Sequence, residues 1–457
     1  MKFTSLVLVL SIFILISVNA QLEAKYHTNE ELHEYMINFT IRFPYISTVY
    51  SIGQSVRGVE LLVLKLTTTE DLLAPNVKLV GNIHGNEAIS REVLLQFIEL
   101  IGTSYNVNST FATLLNTTIL HILPSLNPDG FSRKQIGLCQ GSVGRDNANE
   151  VDLNRNYPDY FTKVKVIEQP ETFAIKQWLN TTRFALSAAF HSGTLVANYP
   201  FDSPKHVDSG MDTEESIAPD DDILKHLALV YAKSHTRMQN PNECSDDFGF
   251  VNGITNGAKW YEIQGGMGDY NYAFGGVMEL TLEISCCKFP MTREIGKIFD
   301  ENKAALIAYV SEAQRGVRGT IVDYNIDMKL QIKGRDIPFY PDSMGRFWRI
   351  LLPGRYTLLI IQNNTIQKSV PFSVNNSSAT ILHLEMSKKV TEKNESTQGT
   401  KNIIEDSNVT STTLPTTKAV SEFISPTTST PKKSSNAIRL VCTNYLLLMF
   451  SFLIINV

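Results

Sequence analysis

The sequence predicts a mixed, doubly wound α/β sheet flanked by helices and followed by a small all-β sandwich. From about Leu22 to Ala313, apolar runs rich in β-forming residues alternate with segments of helical periodicity, a pattern typical of a sheet covered by helices on both faces. From about Arg315 to Met386 the helical periodicity is absent, and short apolar runs are separated by turn residues.

Strands and helices alternate along the α/β part. Strands are predicted at Glu60–Leu66 and Val77–Ile83, and a helix is predicted at Arg91–Ile101. Further strands are predicted at Thr118–Pro124, Ala185–Phe190 and Val277–Ile284, with helices at Glu171–Leu179, Asp222–Ser234 and Thr292–Val310. The predicted strands of the sandwich are Arg318–Asp323, Met328–Ile332, Phe347–Leu352 and Tyr356–Ile361. Because open α/β sheets bind ligands outside the carboxyl ends of their strands, the polar clusters that follow several strands mark the expected site.

Both terminal segments are expected to be removed from the mature protein. Residues 1–20 carry Lys2, the apolar run from Leu6 to Val18 and small residues near Ala20, which is the pattern of a secretory signal peptide; a first transmembrane helix would need a longer run. Residues 439–457 are mostly apolar and are followed by no basic cluster. This favours the cleaved signal of a glycosylphosphatidylinositol anchor over a membrane-spanning tail.

Residues 388–438 are rich in Ser, Thr, Lys and Pro with few large apolar groups, which predicts a disordered stalk. The predicted organisation is a leader (1–20), an α/β domain (21–313), a β-sandwich (314–387), the stalk (388–438) and the anchor signal (439–457). Nine Asn-x-Ser/Thr sites are compatible with the secretory pathway, at Asn38, Asn108, Asn116, Asn180, Asn363, Asn375, Asn376, Asn394 and Asn408.

Composition and cysteine content exclude some classes of function and structure. The formal net charge of −5 is accompanied by no basic stripe, so nucleic acid is not an expected partner. Five cysteines are too few for a disulfide scaffold. Since Cys442 lies in the tail, at most two bridges can form among the other four in an oxidising compartment.

The first chemical motif is His84-Gly85-Asn86-Glu87. It follows the predicted strand Val77–Ile83 and precedes a helix, so an imidazole and a carboxylate three residues apart can face one cation. Zinc sites in hydrolases commonly take two His and one Glu and keep a fourth position for water. Alone, the motif is more often a surface histidine beside a glutamate at a helix N-terminus.

Two further motifs add candidate residues. Arg145 and the pair Asn154-Arg155 bring arginines and an amide into a segment without strong periodicity, and an Arg fork recognises a carboxylate bidentately. Salt-bridged surface arginines are the alternative. His191 ends the strand Ala185–Phe190, where a histidine is by itself more often buried and hydrogen-bonded than a metal ligand.

The fourth motif is the strand Val277–Ile284. Alternation along it places Glu279, Thr281 and Glu283 on one face. A carboxylate between apolar neighbours is costly unless it has a partner or a task, so Glu283 is either a hydrogen-bonded structural residue or a functional one.

Taken together, these motifs resemble in order and spacing the regulatory metallocarboxypeptidases of the N/E type. The resemblance covers about Tyr26 to Met386. It implies the zinc carboxypeptidase fold and a catalytic role for residues 21–313, and it makes the sandwich similar to the family's transthyretin-like domain.

The resemblance also implies a role for individual residues. One Zn²⁺ ion would polarise the scissile carbonyl and acidify a water molecule, and a glutamate would move the proton to the leaving amine. The implied positions are His84, Glu87 and His191 for the zinc ligands, Glu283 for the general base, Arg145 for the arginine that stabilises the oxyanion, Asn154 and Arg155 for the terminal carboxylate of the substrate, Tyr261 for the closing tyrosine, and Asp202 for the base of the specificity pocket.

Two departures from the family pattern bear on these implications. Ser192 follows His191 where the subfamily usually has Gly, a change that we expect to be tolerated. Gly268 stands where relatives often carry Gln, so the pocket is wider and the choice between Lys and Arg stays open, while Asp202 still argues for a basic side chain.

The cysteines are only partly assigned by the resemblance. Cys244 and Cys286 look like a bridge of the family, which leaves Cys139 and Cys287 without assigned partners. Cys287 could take that bridge instead of Cys286.

The expected function is hydrolysis of the C-terminal peptide bond of extracellular peptides and proteins with release of Lys or Arg. The enzyme is expected to be a monomer, attached by its lipid anchor to the outer face of the plasma membrane or secreted. One alternative is a catalytically inactive binding or adhesion glycoprotein, which the presence of all eight zinc, catalytic, carboxylate-binding and closing-tyrosine positions argues against. Another is an enzyme in which Gly268 admits bulky apolar residues.

Overall fold

A computed structural model describes residues 22–386 of the chain, except residues 134, 164, 206–213, 245–248 and 377. The predicted leader, the stalk and the anchor signal lie outside the described residues, as do Cys442, Asn394 and Asn408. Among the described helices, none is both long enough and apolar enough to cross a membrane.

An eight-stranded mixed sheet forms the centre of the α/β part. Its strands are β1 (Ser47–Gln54), β2 (Glu60–Leu66), β3 (Asn76–Gly81), β4 (Ile119–Leu123), β5 (Phe184–His191), β6 (Leu195–Tyr199), β7 (Ile254–Asn256) and β8 (Met278–Ile284). Their order in the sheet is β1-β2-β4-β3-β5-β8-β6-β7. Strands β4, β3, β5 and β8 are parallel, whereas the pairs β1–β2, β2–β4 and β6–β8 are antiparallel. The predicted fold class is therefore confirmed.

Helices cover both faces of this sheet, so its parallel strands are buried along nearly their whole length. The helices are α1 (Asn29–Arg42), α2 (Ile89–Ser104), α3 (Ser109–Thr117), α4 (Pro128–Phe131), α5 (Pro170–Thr181), α6 (Asp221–Ser234), α7 (Gly257–Trp260), α8 (Met267–Ala273) and α9 (Ile295–Ser311). Helices α2, α6 and α9 share one apolar core with the sheet, and α5 and α8 share a second core on the opposite face. Every residue of β5 is buried between these layers.

The order of connections changes direction between β3 and β5. After β3 the chain passes through α2 to β4 on one side, and after β4 it returns through α5 to β5 on the other side. The carboxyl ends of β3 and β5 therefore border the crevice in which open α/β sheets bind ligands. His84 follows β3 by three residues and His191 ends β5, so the sheet brings two predicted metal ligands together.

Two three-stranded sheets form the sandwich that follows α9. Its strands are β9 (Val317–Val322), β10 (Lys329–Ile332), β11 (Arg346–Arg349), β12 (Gly354–Gln362), β13 (Thr365–Val374) and β14 (Thr380–Glu385), ordered β10-β12-β13 and β11-β9-β14. The two inner faces enclose a separate apolar core. The proposed domain boundary at 313/314 lies within the 3₁₀ turn Glu312–Gln314, before β9 begins.

Several elements that the sequence does not predict are short or have a weak apolar pattern. Helix α1 buries only Leu32, Met36 and Phe39, although a capping box of Thr28 and Glu31 marks its start. Strands β1 and β13 are partly exposed along their lengths, and β6 is a short strand that pairs antiparallel with β8. For β1 and β13, pairing with neighbouring strands decides the structure.

Candidate metal centre and substrate cleft

Three buried side chains form a potential metal site at the crevice between β3 and β5. The ligand atoms of His84, Glu87 and His191 all lie within 4.8 Å of one another. His84 Nδ1 is 3.0 Å from Glu87 Oε1, and His191 Nδ1 is 2.9 Å from Glu87 Oε2. The two imidazoles thus face one carboxylate, His84 from the turn after β3 and His191 from the end of β5.

The turn between β3 and His84 is held by a buried asparagine. Asn82 has a φ of +58°, a left-handed conformation that Asn tolerates better than most residues. Its Nδ2 donates hydrogen bonds to the carbonyl oxygens of His84 and Gly85, at 2.8 and 3.1 Å. This turn places His84 and Glu87 on the same side of the crevice.

Asp152 holds the ring of His84 from the far side. His84 Nε2 lies 3.1 Å from Asp152 Oδ1, which assigns the ring proton to Nε2 and leaves the lone pair of Nδ1 for a metal. Burial alone would raise the pKa of Glu87, but the neighbouring His84 and His191 outweigh it and the pKa lies well below its usual range. An ionised carboxylate and two imidazoles fit Zn²⁺, and this ligand set is an established precedent among carboxypeptidases.

Arg145 and Lys288 bring positive charge to the same group of residues. Arg145 Nη1 is 3.2 Å from His84 Nδ1 and 3.4 Å from Glu87 Oε1, and its Nε donates to Asp152 Oδ2 at 3.1 Å. Burial would lower the pKa of Arg145, but Glu87 and Asp152 raise it overall. Lys288 Nζ lies 3.4 Å from Glu87 Oε1. Both cations can therefore reach an oxygen of a substrate bound beside the triad.

Glu283 faces the same site from β8, where it pairs in register with His191. It is 7% exposed, and its Oε2 has no hydrogen-bond partner among the described residues. Burial, followed by the charge of Glu87, raises the pKa of Glu283 to about 7. A carboxyl group with a pKa near neutrality is suited to take up and release a proton.

A cavity of about 200 Å³ joins several of these groups. His84, Glu87, Arg145, Tyr261 and Glu283 line it, and its remaining walls are formed by Lys288, Gln140, Trp260, Ser192, Gly193 and Thr194. Tyr261 is 41% exposed, and burial, then the charge of Glu283, raises the pKa of its phenol. The structure therefore brings the predicted closing tyrosine to the mouth of the metal site.

Asn154 and Arg155 lie in the 3₁₀ turn that follows Asp152, outside the lining of this cavity. Asn154 Oδ1 accepts a hydrogen bond from the backbone N–H of Met267 at 2.9 Å, which leaves its Nδ2 to donate to a ligand. The Arg155 side chain is 35% exposed and lies 3.9 Å from Asp152 Oδ2. An amide and a guanidinium beside each other suit a carboxylate.

Two glycines face the buried carboxylate of Asp202, and the space beside them is called the Asp202 recess. Asp202 Oδ1 accepts a hydrogen bond from Asn198 Nδ2 at 2.8 Å. A Cβ atom built on Gly266 or Gly268 would lie 3.5 or 3.8 Å from Asp202 Oδ2. Thr281, in the central strand β8, is only half-buried, and its Oγ1 would lie 3.4 Å from a Cβ on Gly268. The missing side chain at Gly268 thus opens the recess as far as the sheet.

The Asp202 carboxylate has a second acid behind it. Both oxygens of Asp269 accept hydrogen bonds from the backbone N–H groups of Asp202 and Ser203, at 2.8 to 3.0 Å. Burial raises the pKa of Asp202, and the hydrogen bond from Asn198 opposes this only in part. Burial and the charge of Asp202 also raise the pKa of Asp269. A bound cation would offset the cost of keeping these carboxylates ionised.

Two disulfides attach loops of the cleft to the segment that follows Glu283. Cys244 pairs with Cys286, the pairing implied by the resemblance, and Cys139 pairs with Cys287. The alternative bridge between Cys244 and Cys287 is therefore not the one formed. Because the two half-cystines of this segment are adjacent, one short stretch of chain is bonded both to Cys139, beside Gln140, and to Cys244.

Several residues of the site are not among the sequence candidates. Asp152 and Lys288 contact the metal-binding side chains, and Asp269 holds the backbone of Asp202. Asp152 lies two residues before Asn154, so its place in an otherwise functional segment was an available signal. Lys288 and Asp269 carry no comparable signal, because their contacts join parts of the chain far apart in sequence.

Comparison with known proteins gives the same picture for most of the chain. A sequence profile described as zinc carboxypeptidase matches residues 32–305. Carboxypeptidase M of Mus musculus is 40% identical over 354 residues, which cover 76% of this chain and 80% of that protein. The catalytic chain of carboxypeptidase N from Rattus norvegicus is 35% identical over 403 residues, covering 80% of this chain and 87% of that protein.

Solved structures agree with the fold. The carboxypeptidase A from Helicoverpa armigera superposes with a TM-score of 0.51 at 20% sequence identity, covering 63% of this chain and 74% of that one. Thrombin-activatable fibrinolysis inhibitor gives the same score, identity and coverage. At this level of identity the likeness concerns the fold alone.

Proposed function

This chain belongs to the zinc carboxypeptidase family, and we propose that it releases C-terminal Lys or Arg from extracellular peptides and proteins. The observation that carries the proposed specificity is the buried Asp202 carboxylate, whose Oδ2 lies beside Gly266 and Gly268, two residues without side chains. A carboxylate held by neutral hydrogen-bond donors in such a recess favours a cationic side chain.

We assign the zinc ligands to His84, Glu87 and His191. Zinc held there supplies a Lewis acid for the scissile carbonyl and lowers the pKa of a water molecule. Glu283 takes the proton of the attacking water and delivers it to the leaving amine, for which its pKa of about 7 is suited. Arg145 donates hydrogen bonds to the carbonyl oxygen as negative charge develops on it.

The substrate's terminal carboxylate is proposed to bind to Asn154 and Arg155. Asn154 is held by the N–H of Met267, at the start of the helix that also carries Gly268. The carboxylate site is therefore hydrogen-bonded to the first residue of the helix that carries Gly268. Tyr261 closes over the bound terminus from the exposed side of the cleft. This arrangement suits an exopeptidase, because a substrate without a free carboxylate cannot satisfy Arg155.

The proposed location is the outer face of the plasma membrane, with a lipid anchor, or the extracellular fluid. The leader pattern, the Asn-x-Ser/Thr sites and the two disulfides support passage through an oxidising secretory compartment. The anchor rests on the apolar segment 439–457 alone. Release of the intact protein from cells by a phosphatidylinositol-specific phospholipase is the expected result, and resistance would favour a spanning tail. We propose a monomer.

An inactive binding glycoprotein is disfavoured by the geometry of the site. Such a protein needs neither a buried glutamate with a pKa near 7 nor an imidazole oriented by a carboxylate, and this chain has both in Glu283 and His84. An apolar specificity is disfavoured because a bulky apolar side chain in the recess would bury the Asp202 carboxylate without a partner.

The deciding experiment measures release of free amino acid from matched peptides that end in Arg, Lys, Phe or Leu, with and without 1,10-phenanthroline. Chelator-sensitive release of Arg and Lys is expected, with Phe and Leu released far more slowly. The absence of any chelator-sensitive release would contradict the enzyme assignment, whereas fast release of Phe would contradict only the assignment of the pocket.

A further inference from the structure

The β-sandwich contacts the specificity pocket through a buried ionic cluster. Asp220, which is fully buried and precedes α6, accepts a hydrogen bond from the Tyr272 hydroxyl at 2.8 Å. The same carboxylate is ion-paired with Arg349 of β11 and with Arg335, whose Nη1 is 3.0 Å from Asp220 Oδ1. Two cations of the sandwich and one hydroxyl of the α/β part therefore meet on a single carboxylate.

Arg349 also makes a second contact with the α/β part. Its side chain is 1% exposed, and Nη1 donates to the carbonyl oxygen of Gly276 at 2.8 Å. Gly276 lies in the turn between α8 and β8 with a φ of +68°, and a Cβ there would lie 2.6 Å from the backbone of Phe339. The sandwich thus contacts the end of α8 so closely that this turn has no room for a side chain.

Helix α8 connects this cluster to the pocket. Tyr272 lies near its C-terminal end, and its ring is 5.3 Å from that of Phe201, the residue before Asp202. Gly268 and Asp269 lie at the start of the same helix, where Asp269 holds the backbone N–H groups of Asp202 and Ser203. Tyr272 and Asp269 are three residues apart in this seven-residue helix, so we expect a shift at Tyr272 to move Asp269.

We propose that Arg349 is a positioning residue for the specificity pocket. The sandwich then determines the position of the Asp202 carboxylate through a chain of contacts that runs over Asp220, Tyr272 and α8. This inference rests on the proposed function, because it assigns a substrate cation to Asp202. It gives the sandwich a role in substrate selection in addition to its packing. We expect metal binding and proton transfer to depend less on this cluster, since their residues lie at or after the carboxyl ends of β3, β5 and β8.

The test uses the full-length enzyme and two inhibitors that differ only in the group that enters the pocket. Both are succinates that can occupy the metal and carboxylate sites: (2-guanidinoethylmercapto)succinic acid carries a guanidinium, and benzylsuccinic acid carries a phenyl ring. Wild-type enzyme is expected to bind the guanidino compound more tightly. Equal binding by the wild type would overturn the proposed specificity, and this inference with it, before any variant is made.

Arg349→Met is expected to raise the Ki of the guanidino compound about tenfold or more, because a displacement of about 1 Å in a binding group is costly. The Ki of benzylsuccinate, the zinc content and kcat are expected to stay near their wild-type values. Arg346→Met is the matched control: Arg346 is on the same strand and also contacts the α/β part, but at the carbonyl of Leu72, away from α8.

Tyr272→Phe keeps the inference testable if Arg349→Met does not fold, since it removes only the hydroxyl that joins α8 to Asp220. It should lower the preference for the guanidino compound in the same direction. Equal losses for both inhibitors, or equal effects of Arg346→Met and Arg349→Met, would show that the cluster only stabilises the fold. An unchanged inhibitor ratio in Tyr272→Phe would likewise overturn the positioning role.

Discussion

The cleft has a metal end around Glu87 and a specificity end around Asp202. The two ends differ in whether the protein itself supplies positive charge to the buried carboxylate. At the metal end, the Glu87 carboxylate has nitrogens of His84, His191, Arg145 and Lys288 within 3.4 Å. At the specificity end, Asp202 accepts its hydrogen bond from the neutral Asn198, and no described Lys or Arg side chain forms an ion pair with it. The metal end is organised by the protein itself, whereas the specificity end keeps a negative charge for which the substrate supplies the partner.

Removing the proton acceptor from the metal end should have the largest effect. Glu283→Gln keeps the size of the side chain and removes its ability to take up a proton, so we expect kcat to fall roughly 10³- to 10⁴-fold. Zinc content and the Ki of benzylsuccinate should change little, because Glu283 is not assigned as a ligand. Steady-state kinetics, metal analysis and inhibitor titration measure the three quantities.

The matched control for this variant is Glu279→Gln. Glu279 is the other buried carboxylate on the same face of β8, and its partner is the buried Lys78, whose Nζ is 3.8 Å away. Breaking this pair should lower thermal stability and leave kcat of the remaining folded enzyme close to the wild-type value. A comparable loss of kcat in both variants would show that the charge of β8, and not proton transfer by Glu283, is what the enzyme needs.

Neutralising the specificity end should have the next largest effect, and only on basic ligands. Asp202→Asn leaves the guanidinium of a C-terminal Arg buried without its carboxylate, a loss of about 2–5 kcal/mol, which is roughly 30- to 5,000-fold in kcat/KM. Benzylsuccinate should bind to the variant as well as, or better than, to the wild type. If both ligands weaken equally, Asp202 supports the structure and does not select the substrate.

The sequence could predict the metal end better than the specificity end, for a physical reason. His84, Glu87, His191 and Glu283 stand at or near the ends of strands whose apolar runs are visible in the sequence, so the sheet places them together. The fold class follows from the same strands. The specificity end depends instead on contacts between distant segments, such as Asp269 with Asp202 and Arg349 with Asp220, for which no local pattern exists.

Asp152 is a residue of the metal end whose role the sequence does not predict. Its carboxylate orients His84 although it binds no metal itself, and the sequence gives no measure of that contact. Polar strands and a helix with few buried residues, such as β1 and α1, are missed for the related reason that their structure depends on neighbours.

A variant that no longer orients the zinc ligand His84 should therefore reduce activity by less than the loss of Glu283 does. Asp152→Asn removes the charge beside His84 and beside Arg145, and we expect zinc affinity to fall about 10- to 100-fold. Competition with a chelator of known affinity measures this, and excess zinc should restore much of the activity. Unchanged zinc affinity would mean that Asn82 and the turn after β3 suffice to orient His84.

The smallest change concerns which basic residue the specificity end prefers. Gly268→Gln would fill the space between Asp202 Oδ2 and Thr281 Oγ1, where a Cβ on Gly268 meets nothing closer than 3.4 Å. The filled pocket retains the Asp202 charge but loses depth, so the longer, planar guanidinium should lose more than the ammonium of Lys. We expect the ratio of kcat/KM for Arg over Lys to fall several-fold, by about 1 kcal/mol of discrimination.

Paired peptides that differ only in the last residue measure the ratio, with Gly268→Ala as the matched control that adds a single methyl group. A ratio that rises in Gly268→Gln would mean that the glutamine amide binds the guanidinium, and that space beside Asp202 is not what favours arginine.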